Sequence, residues 1–151
     1  MNTNEIEAAL KQSLGMQSAS SGPGPKWKGY LHAELTHAIV GAAIEVHRHL
    51  GPGHLEALYQ RAMERELARR AIPFRAQAPI AVTYKGDPIG DAVADLIVDD
   101  SVIVELKAVT EIHPVHVAQV LGYLRATNLR QGLLINFNVP VLWRGVRRLI
   151  R

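Results

Sequence analysis

The sequence predicts an α/β protein of the α+β kind, with a mixed central sheet flanked by helices. Three observations predict it. Residues 31–50 and 55–70 repeat apolar side chains every three or four positions, as amphipathic helices do. Residues 74–106 then break into short β-branched runs separated by polar turns, as strands do. A third helical stretch opening at Pro114 leads into the apolar run 132–137, and a helix between strands suggests a crossover to a parallel neighbour. The expected order is helix, helix, three strands, helix, strand.

Each element has its own signal. Residues 1–29 stand apart. Within them, 4–14 carry Ile6, Leu10 and Leu14 at helical spacing with Thr3 or Asn4 as cap, and 18–25 read SASSGPGP, a flexible linker. A helix so short is marginal alone in water, so it is expected to be disordered or to dock on the domain or on a protein partner. The folded domain is expected over 30–151. Its first helix has Leu35, Ile39, Ala42, Val46 and Leu50 as its apolar stripe and stops at Gly51-Pro52-Gly53. The second is expected to bury Leu55, Tyr59, Ala62, Met63 and Leu67. Ile80, Val82 and Tyr84 alternate in a first strand over 74–84; Lys85-Gly86-Asp87-Pro88 reads as a turn, and Ile89 to Asp91 as the approach to the next strand. Pro114 suits the first turn of the third helix, which is expected to bury Val117, Val120, Leu121 and Leu124. Residues 132–137 read as a strand inside the sheet, with Asn136 and Asn138 as turn formers. The tail adds an edge strand, with Trp143 as a core or docking residue.

The centre of the chain is 92–108, AVADLIVDDSVIVELKA. Runs 93–98 and 102–106, joined by Asp99-Asp100-Ser101, read as a hairpin whose apolar pattern is interrupted by Asp95, Glu105 and Lys107. Strand side chains alternate, so Glu105 and Lys107 share a face with Ile103. Asp95 joins them in one register only. A three-residue turn sets it opposite Glu105, whereas a two-residue turn sets it opposite Val104 on the other face. We expect the three-residue register or an equivalent bulge. One face of an antiparallel sheet is ordinarily polar and solvated, but these charges lie inside strands that read as buried on both faces. Buried charges need a partner or a metal, and adjacent carboxylates repel unless a cation offsets them. Mg²⁺ or Mn²⁺, both oxygen-preferring, would supply that offset.

Composition bounds the alternatives. At 151 residues, 48% hydrophobic and 21% charged, the chain is sized for one globular domain. No apolar run is long enough to span a membrane, and Glu5 and Glu7 stand where a secretory signal would need an apolar core, so a cytoplasmic location is expected. The absence of cysteine excludes disulfides, thiolate metal sites and a thiol nucleophile. His32, His37, His47, His49 and His54 have no ligand spacing of the HExxH type, so a histidine-built zinc or iron site is not expected. Net charge is +3 but uneven: residues 85–111 hold seven acids against two lysines, and from 112 onward there are six arginines and no acid. A carboxylate-rich centre beside a basic tail suits a metal site acting on a polyanion; the arginines would equally keep the domain soluble.

Asp95, nine intervening residues, then Glu105-Leu106-Lys107 resembles the D…ExK signature of the PD-(D/E)XK nuclease superfamily. Gly53-His54-Leu55-Glu56-Ala57-Leu58-Tyr59 resembles the GxxExxY motif that names one family within it, and HPVHVAQVLGYLRAT and GLLINF resemble that family's later segments. The resemblance runs from about Leu35 to about Phe137 in the right order. It implies a restriction-endonuclease-like αβββαβ core, here preceded by one extra helix, and phosphodiester hydrolysis of nucleic acid, DNA favoured. In that chemistry a divalent ion polarises a phosphoryl oxygen and offsets developing charge.

The resemblance also implies roles. Asp95 and Glu105 would bind the ion, with the Leu106 carbonyl as a further ligand, and Lys107 would orient or deprotonate the attacking water or stabilise the pentacoordinate phosphorus. Glu56 would point into the site and hold a second ion or a water; read on its own, it complements the helix dipole. His116, Gln119 and Tyr123 form a stripe on the third helix that would adjoin the site, Gln119 positioning water or substrate; without the resemblance it is a solvent face. His116, Tyr123 and Arg125 are candidates for substrate contact. The competing reading is a catalytically silent nuclease-like module that binds nucleic acid or protein, with the late arginines on phosphates.

Overall fold

The computed structural model describes residues 31–151. The N-terminal helix and linker expected over 4–14 and 18–25 lie outside the described residues. Helix α1 (Ala33–Leu50) and α2 (Glu56–Arg69) come first, followed by β1 (Phe74–Tyr84), β2 (Asp87–Val98) and β3 (Val102–Lys107). Then come α3 (Pro114–Thr127), β4 (Gln131–Asn136), a 3₁₀ turn at Leu142–Gly145 and β5 (Val146–Ile150). Five strands form one mixed sheet in the order β1-β2-β3-β4-β5 among the described residues. Only β3 and β4 run parallel, because α3 carries the chain over the sheet between them.

Two apolar layers sandwich this sheet. On one face α1 and α2 pack Ile39, Val40, Val46, Tyr59, Met63 and Leu67 against Leu96, Val104, Leu106, Leu133 and Ile135. On the other, Leu124 of α3 packs against Ala78, Ile80, Ala94, Ile97 and Ile103. β3 and β4 are therefore covered on both sides, which explains their unbroken apolar runs.

The hairpin takes the three-residue register, with Leu96 opposite Val104 and Val98 opposite Val102. Asp99 and Asp100 both adopt left-handed φ of 49°, a conformation aspartate tolerates, and Ser101 N–H closes the turn on Val98 O at 3.0 Å.

Several sequence expectations need correction. Leu55 is 76% exposed, because it caps α2 instead of joining its buried stripe. The turn after β1 is Lys85-Gly86 alone, with left-handed φ at both, so β2 starts already at Asp87 and takes in Pro88 and Gly90 at its solvated end. Val117 and Leu121 are half-buried, and only Val120 and Leu124 of α3 reach the interior. Asn136 forms the expected turn, its Oδ1 accepting from Asn138 N–H at 3.2 Å, but it does so as the buried last residue of β4. β5 is the expected edge strand, antiparallel to β4, and Trp143 packs half-buried against the core.

Candidate active site

The site forms where β2 peels away from β3. Pairing between them ends at Leu96↔Val104, one residue short of Asp95 and Glu105. On its other edge β2 pairs with β1 through Ala76↔Leu96 and then Ala78↔Ala94, passing over Gln77 and Asp95. Gln77 has a left-handed φ of 47°. Here the hairpin's faces exchange. Phe74, Ala76, Leu96 and Val98 pack toward α1 and α2, yet Ala78, Ile80, Ala92 and Ala94 pack toward α3, although all are even-numbered. Strict alternation cannot do this, so both strands are kinked at Gln77 and Asp95, with the register the same on either side of the kink.

Side chains take over the ladder bonds lost there. Asp95 N–H donates to Glu105 Oε1 at 2.9 Å, and Leu106 N–H donates to Asp95 Oδ2 at 2.8 Å. The Asp95 carbonyl accepts from Gln60 Nε2 at 3.0 Å. Each carboxylate is thus held by the other strand's backbone.

Electrostatics show which groups share this space. Glu105 is 3% exposed, and burial first, then the neighbouring Asp95 carboxylate, push its pKa up to about 8, against the pull of the Asp95 N–H and of Lys107. Glu56, exposed in the first turn of α2, is raised by desolvation, lowered by Lys107 and raised by Asp95. His116 is held below its usual value by desolvation, then by Lys107 and His113. Tyr123 is raised by desolvation and by Glu105, with the Gln119 bond opposing and Asp95 adding to the rise. Gln119 Nε2 donates to Tyr123 Oη at 2.8 Å, which leaves the phenolic hydrogen free to be offered elsewhere. Lys107 acts on Glu56, Glu105 and His116, and Asp95 on Glu56, Glu105 and Tyr123, so these six groups form one connected electrostatic cluster, with Gln119 attached through Tyr123.

Arg125 stands apart. It is exposed in the last turn of α3 and, at about 100° per residue, lies roughly opposite His116 around the helix axis. Leu106 enters through its backbone, its side chain being fully buried on the α1/α2 face.

The family model of the PD-(D/E)XK nuclease superfamily matches residues 33–149, most of the chain. The chain belongs to the PD-(D/E)XK nuclease superfamily. No curated protein matches the sequence. Among solved structures this superfamily member resembles the crystal structure of an alkaline exonuclease from Laribacter hongkongensis, at 15% identity over 99% of this chain and 82% of that one, with a TM-score of 0.45.

Superfamily chemistry raises the question of a metal. Among the described residues no three His, Asp or Glu side chains converge as a ready-made cage. The donor set nevertheless fits a hydrated hard cation: Mg²⁺ is commonly held by one or two carboxylates, with waters and substrate phosphates completing its shell. Asp95 and Glu105 are two such carboxylates, and the burial and then the mutual repulsion that raise Glu105 are what a divalent ion would offset.

Two residues here were missed by sequence reasoning. Gln60 reads as an ordinary helix residue, yet it is buried and bonded to Asp95 O. Asn136 is 3% exposed; its Oδ1 accepts from Val109 N–H at 3.1 Å and Asn138 N–H at 3.2 Å, and its Nδ2 donates to Val109 O at 2.8 Å. It clamps the chain two residues after Lys107, and Phe137 N–H bonds Lys107 O at 2.9 Å. The sequence signal was an asparagine closing an apolar run.

Proposed function

We propose that this superfamily member is a divalent-metal-dependent nuclease that hydrolyses phosphodiester bonds of nucleic acid, with DNA as the favoured substrate. The observation that carries the proposal is the pairing of Asp95 with Glu105 beside Lys107, Asp95 N–H donating to Glu105 Oε1 and Leu106 N–H to Asp95 Oδ2. Asp95 and Glu105 would hold Mg²⁺ or Mn²⁺, with the Leu106 carbonyl as a further ligand and Glu56 reaching in from α2. When bound, the ion would polarise a phosphoryl oxygen and offset the charge that develops on it.

The chain's own groups would do the rest. Water adds to phosphorus, one P–O ester bond breaks, and the departing alcohol takes up a proton. Lys107 orients the water or stabilises the additional negative charge on the phosphoryl oxygens, at a distance an ammonium can cover because it shares a strand face with Glu105. Gln119 holds Tyr123 so that its hydroxyl can donate to substrate or water, and His116 lies on the same helix face. The exposed arginines from Arg125 onward supply phosphate contacts away from the reacting centre.

The test is cleavage of labelled linear duplex DNA, single-stranded DNA and RNA by purified protein in Mg²⁺, Mn²⁺ or EDTA, with Glu105→Gln alongside. Metal-dependent cleavage that the substitution abolishes is expected, and the substrate panel ranks DNA against RNA. Folded protein that cleaves nothing yet binds DNA in a salt-sensitive way would replace the enzyme with a binding module.

A further inference from the structure

We propose that Gln60 is a positioning residue that sets Asp95 for metal binding; the inference rests on the metal site proposed above. Asp95 sits where β2 loses its partners on both edges. A strand residue normally commits both backbone groups to the ladder, and a buried group left over must find another partner. The Asp95 N–H finds Glu105, and the Asp95 carbonyl finds Gln60 Nε2 at 3.0 Å.

Gln60 is built for this task. It is 8% exposed, and its Nε2 also donates to Glu64 Oε2 at 3.1 Å. Both neighbours of that nitrogen are acceptors, so the position requires a donor, which glutamate would not supply. Among the described residues no donor reaches its Oε1, so the side chain is bonded through its NH₂ alone. Gln60 also follows Glu56 by four residues, which places the two on one flank of α2. The helix that brings Glu56 to the cluster thereby latches the strand that carries Asp95. Without the latch, the Asp95 carbonyl loses its partner where β2 has no ladder to hold it, and the backbone that carries the carboxylate is free to shift relative to Glu105.

Calorimetric titration of Mn²⁺ into the metal-free full-length chain tests this without relying on turnover. Wild type, Gln60→Met, Gln60→Asn, Glu64→Gln and Glu105→Gln are compared, each with its unfolding midpoint in EDTA. Gln60→Met removes the donor, and Gln60→Asn keeps the amide one methylene short, so the test survives if either fails to fold. Both are expected to bind Mn²⁺ about tenfold more weakly, the scale on which groups supporting a ligand act. Glu64→Gln leaves an acceptor for Gln60 and is expected to bind as wild type does. A purely structural role would lower the unfolding midpoint and leave the Mn²⁺ affinity of the folded variants unchanged, which would overturn the inference alone. Wild type that binds Mn²⁺ no better than Glu105→Gln would remove the metal-site reading and this inference with it.

Discussion

Replacing Glu105 by glutamine should stabilise the metal-free protein, and increasingly so as pH rises. The folded state holds the Glu105 proton up to about pH 8, while the unfolded chain releases it near 4.5. Across that window the unfolded state binds fewer protons, so stability falls as pH rises through it. At about 1.36 kcal/mol per pH unit, the interval from 4.5 to about 8 bounds the loss at about 4 to 5 kcal/mol. Glutamine stays neutral, and its Oε1 can keep the bond from Asp95 N–H. Because Asp95 shares the titration, the substitution should recover about 2 to 4 kcal/mol near pH 9 and little near pH 5. Urea unfolding in EDTA across that range measures it. Adding Mg²⁺ near pH 9 should then restabilise wild type and leave Glu105→Gln unmoved, since only a fold that binds the ion gains by it. Parallel stability curves for the two proteins would refute the claim that a buried, like-charged pair raises Glu105.

Two further expectations concern the scaffold. Asn136→Ala removes the clamp on Val109 and should cost about 1 to 3 kcal/mol of stability, read by thermal unfolding, together with a loss of cleavage because the chain beyond Lys107 is released. Gly145→Ala would place a Cβ 2.1 Å from the Asn136 carbonyl oxygen, a backbone atom that cannot swing aside. It should destabilise by about 1 to 3 kcal/mol in the same assay, and wild-type stability in this variant would contradict the close approach of the 3₁₀ turn to β4.

Periodicity made the helices and strands legible. Ile80, Val82 and Tyr84 alternate within β1, and Pro114 stands at the first position of α3. The convergence of Asp95 and Glu105 was legible too, because a three-residue turn fixes register by counting alone. What escaped were features where a local rule is broken by tertiary context. Pro88 and Gly90 look like breakers, but at the solvated end of a hairpin a strand tolerates both. Leu55 looks like core, but the turn at Gly51-Pro52-Gly53 leaves it outside. The left-handed Gln77 has no sequence signature, since glutamine is not a residue that favours φ above zero, and the face exchange at Asp95 goes with it. Gln60 and Asn136 are polar residues whose partners lie 35 and 27 positions away, distances over which no local pattern speaks.

The most direct test of the account separates holding the ion from acting on the phosphate. Mn²⁺ affinity and single-turnover DNA cleavage would be measured on the same preparations of wild type, Glu105→Gln and Lys107→Ala. The account predicts that Glu105→Gln loses both, whereas Lys107→Ala binds Mn²⁺ at least as well as wild type and cleaves at least about a hundredfold more slowly. Lys107→Ala cleaving at the wild-type rate, or Glu105→Gln retaining both properties, would contradict it.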